Sequence, residues 1–276
     1  MNYKHLLPAL GLAVVLAGAQ PASALPRNLP APGGVAVVPL DDWGDVPPKV
    51  SFGDRTPVAV ARHQARWYAL LGISLDAAPG PIHLNVVGRN SARTIDVTVG
   101  RKDYPTQRLT IRDKRKVEPN PDDELRILAE KEITDRIKTA YAERELDPDF
   151  ILPAKGPLSS RFGLRRIFNG LPRNPHAGLD VAVGIGAPIR APSSGVVVNT
   201  GDYFFNGNTV FVDHGRGLVS AYMHLSRIDV KEGQTVKRGD LLGAVGSTGR
   251  VTGPHLHWAV FLNGTAVDPE LFLMGQ

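Results

Sequence analysis

The 276-residue chain contains no cysteine. That excludes disulfides, thiolate metal ligands, a cysteine nucleophile and lipid attachment at an N-terminal cysteine. Aromatic residues make up 7% of the chain, and no basic run is interleaved with them, so no nucleic-acid partner is expected. Long apolar runs are missing after residue 24, so no stable membrane span is expected in the mature chain. Beyond residue 150 the chain also lacks any helix-period segment of useful length.

What is present is ordinary for a globular protein: 42% hydrophobic and 21% charged residues, enough for one large or two modest domains. The first residues read as a secretory signal over 1–24. Lys4 supplies the positive charge, Leu6 to Ala19 the apolar stretch, broken by Pro8 and Gly11, and Ala22-Ser23-Ala24 the cleavage site before Leu25. Removing Lys4 takes the net charge from +5 to +4, a basic balance that favours anionic surroundings.

A mostly β fold is expected. After a Pro-rich stretch to about Pro32, β-rich runs at Val35 to Leu40, Val58 to Ala61, Ile82 to Val86, Thr94 to Val99 and Gln107 to Ile111 predict a small antiparallel β-sandwich over 33–112. A helical connector is expected over 113–150. Asn120-Pro121-Asp122-Asp123-Glu124 is a helix start, with a capping side chain, a proline where no amide is needed and acids at the positive dipole end. The helix is expected to reach about Arg144. Leu125, Leu128, Ala129, Ile133, Ile137 and Tyr141 would dock it, and Glu130, Lys131, Asp135, Lys138 and Glu143 would form its solvated face. From 151 to 276 short Gly-bounded strands predict an all-β module, with Asn206-Gly207 and Asn263-Gly264 closing hairpins.

Histidines concentrate in that module. A catalytic zinc takes three imidazole or carboxylate ligands and keeps one position open for water, and this chain offers His176, Asp180, His224, His255 and His257 in short motifs. On a strand, His255 and His257 project from one face, while Leu256, Trp258, Val260 and Leu262 face a core. Four extended steps from His176 to Asp180 would cover roughly 13 Å, too far for one ion, so the backbone must turn back near Ala177-Gly178. His214, beside Gly215 and Gly217, is expected to be a turn residue, and His63 and His83 to be surface or structural residues.

Taken in order, Ser160-Arg161-Phe162-Gly163, His176-x-x-x-Asp180, Gly207-Asn208-Thr209-Val210, Tyr222-Met223-His224-Leu225-Ser226 and Gly253-Pro254-His255-Leu256-His257 resemble the M23 family of zinc endopeptidases, the lysostaphin or LytM type. The resemblance spans about 155 to 273, and 35 through the helix is similar to the N-terminal β-domain and connector of some exported members. It implies a LytM-type, barrel-sandwich hybrid-like catalytic module, with one Zn²⁺ on His176, Asp180 and His257 and catalytic His224 and His255 beside the open position. None of the five departs from the family pattern. The implied function is hydrolysis of peptidoglycan peptide stems by a zinc-activated water in the periplasm, with secretion as the second location. The alternative is a non-hydrolytic or latent activator of another wall hydrolase. The N-terminal β-domain, joined by the helix directly to the start of the catalytic module, is expected to limit access to the zinc groove, and no oligomeric state is assigned.

Overall fold

The computed structural model describes residues 24–273 except 42 and 90, so the expected signal peptide lies outside the described residues but for Ala24. No helix of the described residues is long and apolar enough to cross a membrane.

In the N-terminal region two sheets face each other. Val35–Leu40, Arg66–Gly72 and Ala59–His63 form a three-stranded antiparallel sheet with Arg66–Gly72 in the middle. Lys49–Phe52, Thr56–Pro57, Gly80–Val87 and Ala92–Val99 form a four-stranded one. Ala36, Val60, Ala69 and Leu71 pack against Val50, Leu84, Val86 and Val97 between them, as a sandwich requires. Arg66–Gly72 is not among the expected strands because its Ala69-Leu70-Leu71 run does not alternate. Its other face is buried too: Leu70, with Val35, Ala59 and Ala61, joins the core of the C-terminal module.

Gln107 to Ile111 belongs elsewhere than expected. Thr106–Leu109 pairs in parallel with Arg165–Phe168, which in turn pairs with Leu171–Arg173. The apolar residues of this stretch explain the placement, since Leu109 and Ile111 pack with Val117 and Phe168 rather than in the sandwich.

The helix Pro121–Thr139 carries the predicted cap, with the Asn120 side chain accepting from Asp123 N. It stops before Arg144 because Ala140 turns extended and the chain is drawn to the C-terminal sheet, where Arg216 N donates to Ala142 O and Arg144 pairs with Asp213 at 2.6 Å. Its facing is largely the reverse of the amphipathic reading. Leu125 and Leu128 are 68% and 60% exposed, whereas Thr134 is buried. Glu130 accepts the Phe204 backbone N–H at 2.8 Å, and Arg126 donates to Asp202 O at 2.8 Å. The strand end at 202–204 offers free backbone groups that only polar side chains can satisfy, so the charged face docks. Ile137 alone of the apolar stripe packs against the cluster of Phe211, Met223 and Phe261.

The C-terminal sheet is antiparallel, in the order Thr235–Val236, Gly195–Tyr203, Gly207–Gly215, Leu218–Ile228, Leu256–Leu262, Leu179–Val181 and Leu158–Ser160. Leu241–Val245 pairs with both Leu218–Ile228 and Pro188–Arg190, and Thr265–Val267 closes a hairpin onto Leu256–Leu262. Asn263 and Gly264, with φ of 45° and 82°, form the two-residue turn that suits strand twist. Trp258, Tyr222, Leu256 and Leu179 fill the core beneath the sheet.

Candidate metal centre

Strand register brings the first two groups together. Asp180 on Leu179–Val181 lies directly opposite His257 on Leu256–Leu262, and Leu179 lies opposite Trp258. Alternation then turns Leu179 and Trp258 into the core and leaves Asp180 and His257 on the other face, with Asp180 Oδ1 at 2.7 Å from His257 Nδ1. His176 arrives from the preceding loop, which is held by Gly163 N to His176 O and His176 N to Leu164 O. The chain folds back as the reach argument demands, and His176 Nε2 stands 2.9 Å from Asp180 Oδ1 and 3.0 Å from His257 Nδ1. Gly178 lies under this turn: a Cβ there would sit 2.6 Å from His257 Nε2.

The donor set fits a zinc ion. His176 donates Nδ1–H to Arg161 O at 2.7 Å, which leaves Nε2 with a lone pair. Three atoms with mutual spacings of 2.7, 2.9 and 3.0 Å thus converge, and His257 can bring at most one proton among them. A cation satisfies all three, and such a triangle is compatible with the roughly 2.0–2.1 Å bonds that zinc makes to nitrogen and oxygen.

Electrostatics keep the donors in ligand form. Burial pushes the His257 imidazole down to about 4, against the opposing pull of Asp180. Burial by itself would raise the Asp180 carboxyl, yet the close imidazoles of His176 and His257 hold it well below the usual carboxylate range.

His224 and His255 stand beside this triangle, their ring centroids 4.9 Å apart. His224 closes Leu218–Ile228's central stretch in the left-handed region, φ 66°, with its N–H donated to Asn206 O. Its Nδ1 meets Thr248 O at 2.8 Å, and that of His255 meets Gly253 O at 2.9 Å, so each ring is left with a free Nε2. Burial, reinforced by His257 and His255, pushes His224 down to about 3, so it is neutral at physiological pH. His255 precedes the strand rather than lying in it and reaches Asp180 Oδ1 only at 3.8 Å.

Two chambers of about 430 and 280 Å³ flank the centre and share Arg166, His224, Arg250 and His257. Glu130, Thr134 and Lys138 wall the larger, and Ile111, Phe168 and His255 line the smaller. Arg166 and Arg250 are absent from the sequence-level candidates because neither stands in a spaced motif. His83 is an exposed partner of Asp96, and His63 is half-buried near Tyr68. His214 is not a simple turn residue: it is buried, bonded to Ser194 O and Ser220 Oγ at 2.8 Å each, because the sheet closes over it before the turn at Arg216-Gly217.

A β-sheet groove with three converging metal-binding atoms and two further oriented imidazoles defines a metallohydrolase. The chain belongs to peptidase family M23. The model of that family matches residues 174–269, and the M23 N-terminal domain matches 28–102. A crystal structure from Pseudomonas aeruginosa assigned to peptidase M23 is 43% identical and superposes with a TM-score of 0.76 over 89% of this chain and 96% of that one. The peptidoglycan DD-endopeptidase ShyA of Vibrio cholerae is 44% identical over 116 residues, 42% of this chain and 27% of ShyA. The DD-carboxypeptidase/endopeptidase Mpg of Neisseria meningitidis serogroup B is 44% identical over 94 residues, 34% of this chain and 22% of Mpg. The matches therefore span about a quarter of these relatives' length.

Proposed function

We propose that the chain is an exported zinc metalloendopeptidase that hydrolyses peptide cross-links of bacterial peptidoglycan. The observation that carries this reading is the convergence of His176 Nε2, Asp180 Oδ1 and His257 Nδ1 within 3.0 Å of one another, beside the free Nε2 atoms of His224 and His255. One zinc ion per chain, held there, would polarise a peptide carbonyl and lower the pKa of a water towards neutrality.

The chain's own residues supply the rest. Arg161 O fixes the tautomer of His176, and the backbone carbonyls of Thr248 and Gly253 fix those of His224 and His255. His224, neutral in its buried setting, suits proton acceptance, and the two imidazoles together handle the proton and the developing oxyanion. The cell-wall substrate is supported by the names of the relatives, and the net charge of +4 left once Lys4 is removed from the +5 chain favours an anionic polymer. Export to the periplasm rests on Lys4, the apolar Leu6 to Ala19 and Ala22-Ser23-Ala24.

The same reading divides the chain into an N-terminal β-domain at 33–112, a connector at 113–150 and a catalytic module at 151–276. The N-terminal β-domain together with its connector limits access to the groove, and the Glu130, Thr134 and Lys138 wall supports the connector's share of that role. The test incubates residues 25–276 with purified sacculi, with and without chelator and beside His257→Ala, and identifies released fragments by mass spectrometry. Chelator-sensitive cleavage at a peptide bond, lost in the variant, is expected. A zinc-loaded protein that releases nothing would instead favour a latent or activating role.

A further inference from the structure

Arg166 and Arg250 line both chambers and so stand where they meet, in the company of His224 and His257. Arg166 Nη2 is 3.3 Å from Asp180 Oδ2, and its Nε is buried with no partner among the described residues. The Arg250 guanidinium carbon is 4.2 Å from the centre of the Phe205 ring and 5.0 Å from that of Phe168, and Arg166 lies 5.6 Å from Phe168. Arg173, paired with Arg166 across the hairpin, adds a third guanidinium whose Nη2 donates to Val117 O at 2.8 Å.

These cations are poorly neutralised. Among the described residues the only carboxylate in an ion pair with any of the three is Asp180, which also faces His176 and His257. Burial, followed by the charges of Arg166 and Arg173, pushes Arg250 down to about 10. Like charges held together away from water repel unless an anion joins them. The flat guanidinium, steadied on aromatic rings, is the group that grips a carboxylate with two parallel hydrogen bonds.

We propose that Arg166 and Arg250 form a carboxylate-binding subsite at the centre of the groove, which takes a carboxylate carried by the peptide next to the bond that is cut. The inference rests on the peptidoglycan reading above, because the stem peptide is the source of that carboxylate. The subsite positions the scissile amide at the junction of the chambers, and it disfavours cross-links whose neighbouring carboxylate is blocked.

The experiment uses two cross-linked stem-peptide dimers, identical except that the carboxylate nearest the cross-link amide is free in one and a primary amide in the other. Cleavage rates and calorimetric binding are measured for the zinc-loaded wild type, Arg250→Met and Arg250→Lys. Met keeps the stem over the two phenylalanines without the charge. Zinc content is measured on each protein.

The wild type is expected to prefer the free carboxylate by about 10- to 100-fold in kcat/KM, as for a charged hydrogen bond lost. Arg250→Met should lose that preference mainly through KM, with zinc content unchanged, and Arg250→Lys should recover part of it. Equal handling of both dimers by the wild type, or a preference that survives in Arg250→Met, overturns the subsite. Binding that needs both the carboxylate and Arg250, without cleavage, would retain the subsite and remove the endopeptidase reading. Absence of both binding and cleavage would remove both.

Discussion

Asp180 and His257 face each other across two antiparallel strands, with Asp180 Oδ1 2.7 Å from His257 Nδ1. Because side chains alternate, a one-residue slip would exchange this pair for Leu179 and Trp258 and bury the chemistry in the core. The packing of Trp258, Leu256 and Leu179 therefore holds the candidate ligands in place.

A division of labour among the five site residues follows. Asp180→Ala and His257→Ala remove an atom from the converging triangle, so zinc retained after dialysis should fall well below one per chain. His224→Ala and His255→Ala leave the triangle intact. They should keep their zinc while turnover drops by about 10²- to 10⁴-fold, the usual contribution of a positioned acid or base. Elemental analysis beside rate measurements checks this, and zinc loss in His224→Ala equal to that in His257→Ala would contradict the division.

Gly178→Ala tests the floor of the centre. The added Cβ would lie 2.6 Å from His257 Nε2 and 2.7 Å from Trp258 O, so the His257 ring or the strand must shift. Zinc affinity should weaken by about 10- to 100-fold, as when a ligand's orientation is disturbed. Overpacking of this kind should reduce stability by about 1–3 kcal/mol, leaving a folded protein. A competitive zinc titration with a chelating dye gives the first number and urea unfolding the second, and unchanged affinity would mean that the strand absorbs the methyl group.

The candidate centre was legible in the sequence because its residue types are chemically constrained and sit in short motifs. His257 could be turned away from Trp258 by counting alone, and the His176 to Asp180 spacing announced a bend. Arg166 and Arg250 were not legible, since what singles them out is a shared position over Phe168 made by distant segments. The helix misled for a related reason: Leu125 and Leu128 form the periodic stripe, but the Phe204 N–H selected Glu130 as the docking contact. Likewise the run Gln107 to Ile111 alternates like a sandwich strand, and only the position of Phe168 drew it to a different sheet.

His214 should give the fold an acid sensitivity separate from the candidate centre. Burial pushes its imidazole to about 4 from the ordinary 6.5, while Ser194 O and Ser220 Oγ occupy both ring nitrogens. The unfolded chain therefore binds the proton more readily between these values. Stability from this group is complete above about pH 6.5 and is lost as pH falls towards 4, by on the order of 3 kcal/mol. Urea unfolding of zinc-free protein at pH 7 and pH 4.5 should show a smaller loss in His214→Asn than in the wild type, although that variant starts less stable. An identical pH slope in both would assign the sensitivity to other groups.

The connector helix offers a test of groove access that does not require deleting a domain whose Val35, Ala59 and Leu70 share the catalytic core. Glu130 accepts the Phe204 N–H at 2.8 Å and also pairs with Arg126, so Glu130→Ala frees the helix from the sheet at the groove wall. The half-buried N–H left unpaired should reduce stability by about 1–3 kcal/mol. Opening the wall should also raise cleavage of intact sacculi relative to a small soluble stem peptide, because only the bulky substrate must pass the helix. Leu125→Ala, on the exposed face, is the control and should leave stability within about 0.5 kcal/mol and the ratio of the two rates unchanged. If Glu130→Ala loosens the helix, seen as faster amide exchange over 121–139, while that ratio stays at the wild-type value, the helix is a packing element and not a gate.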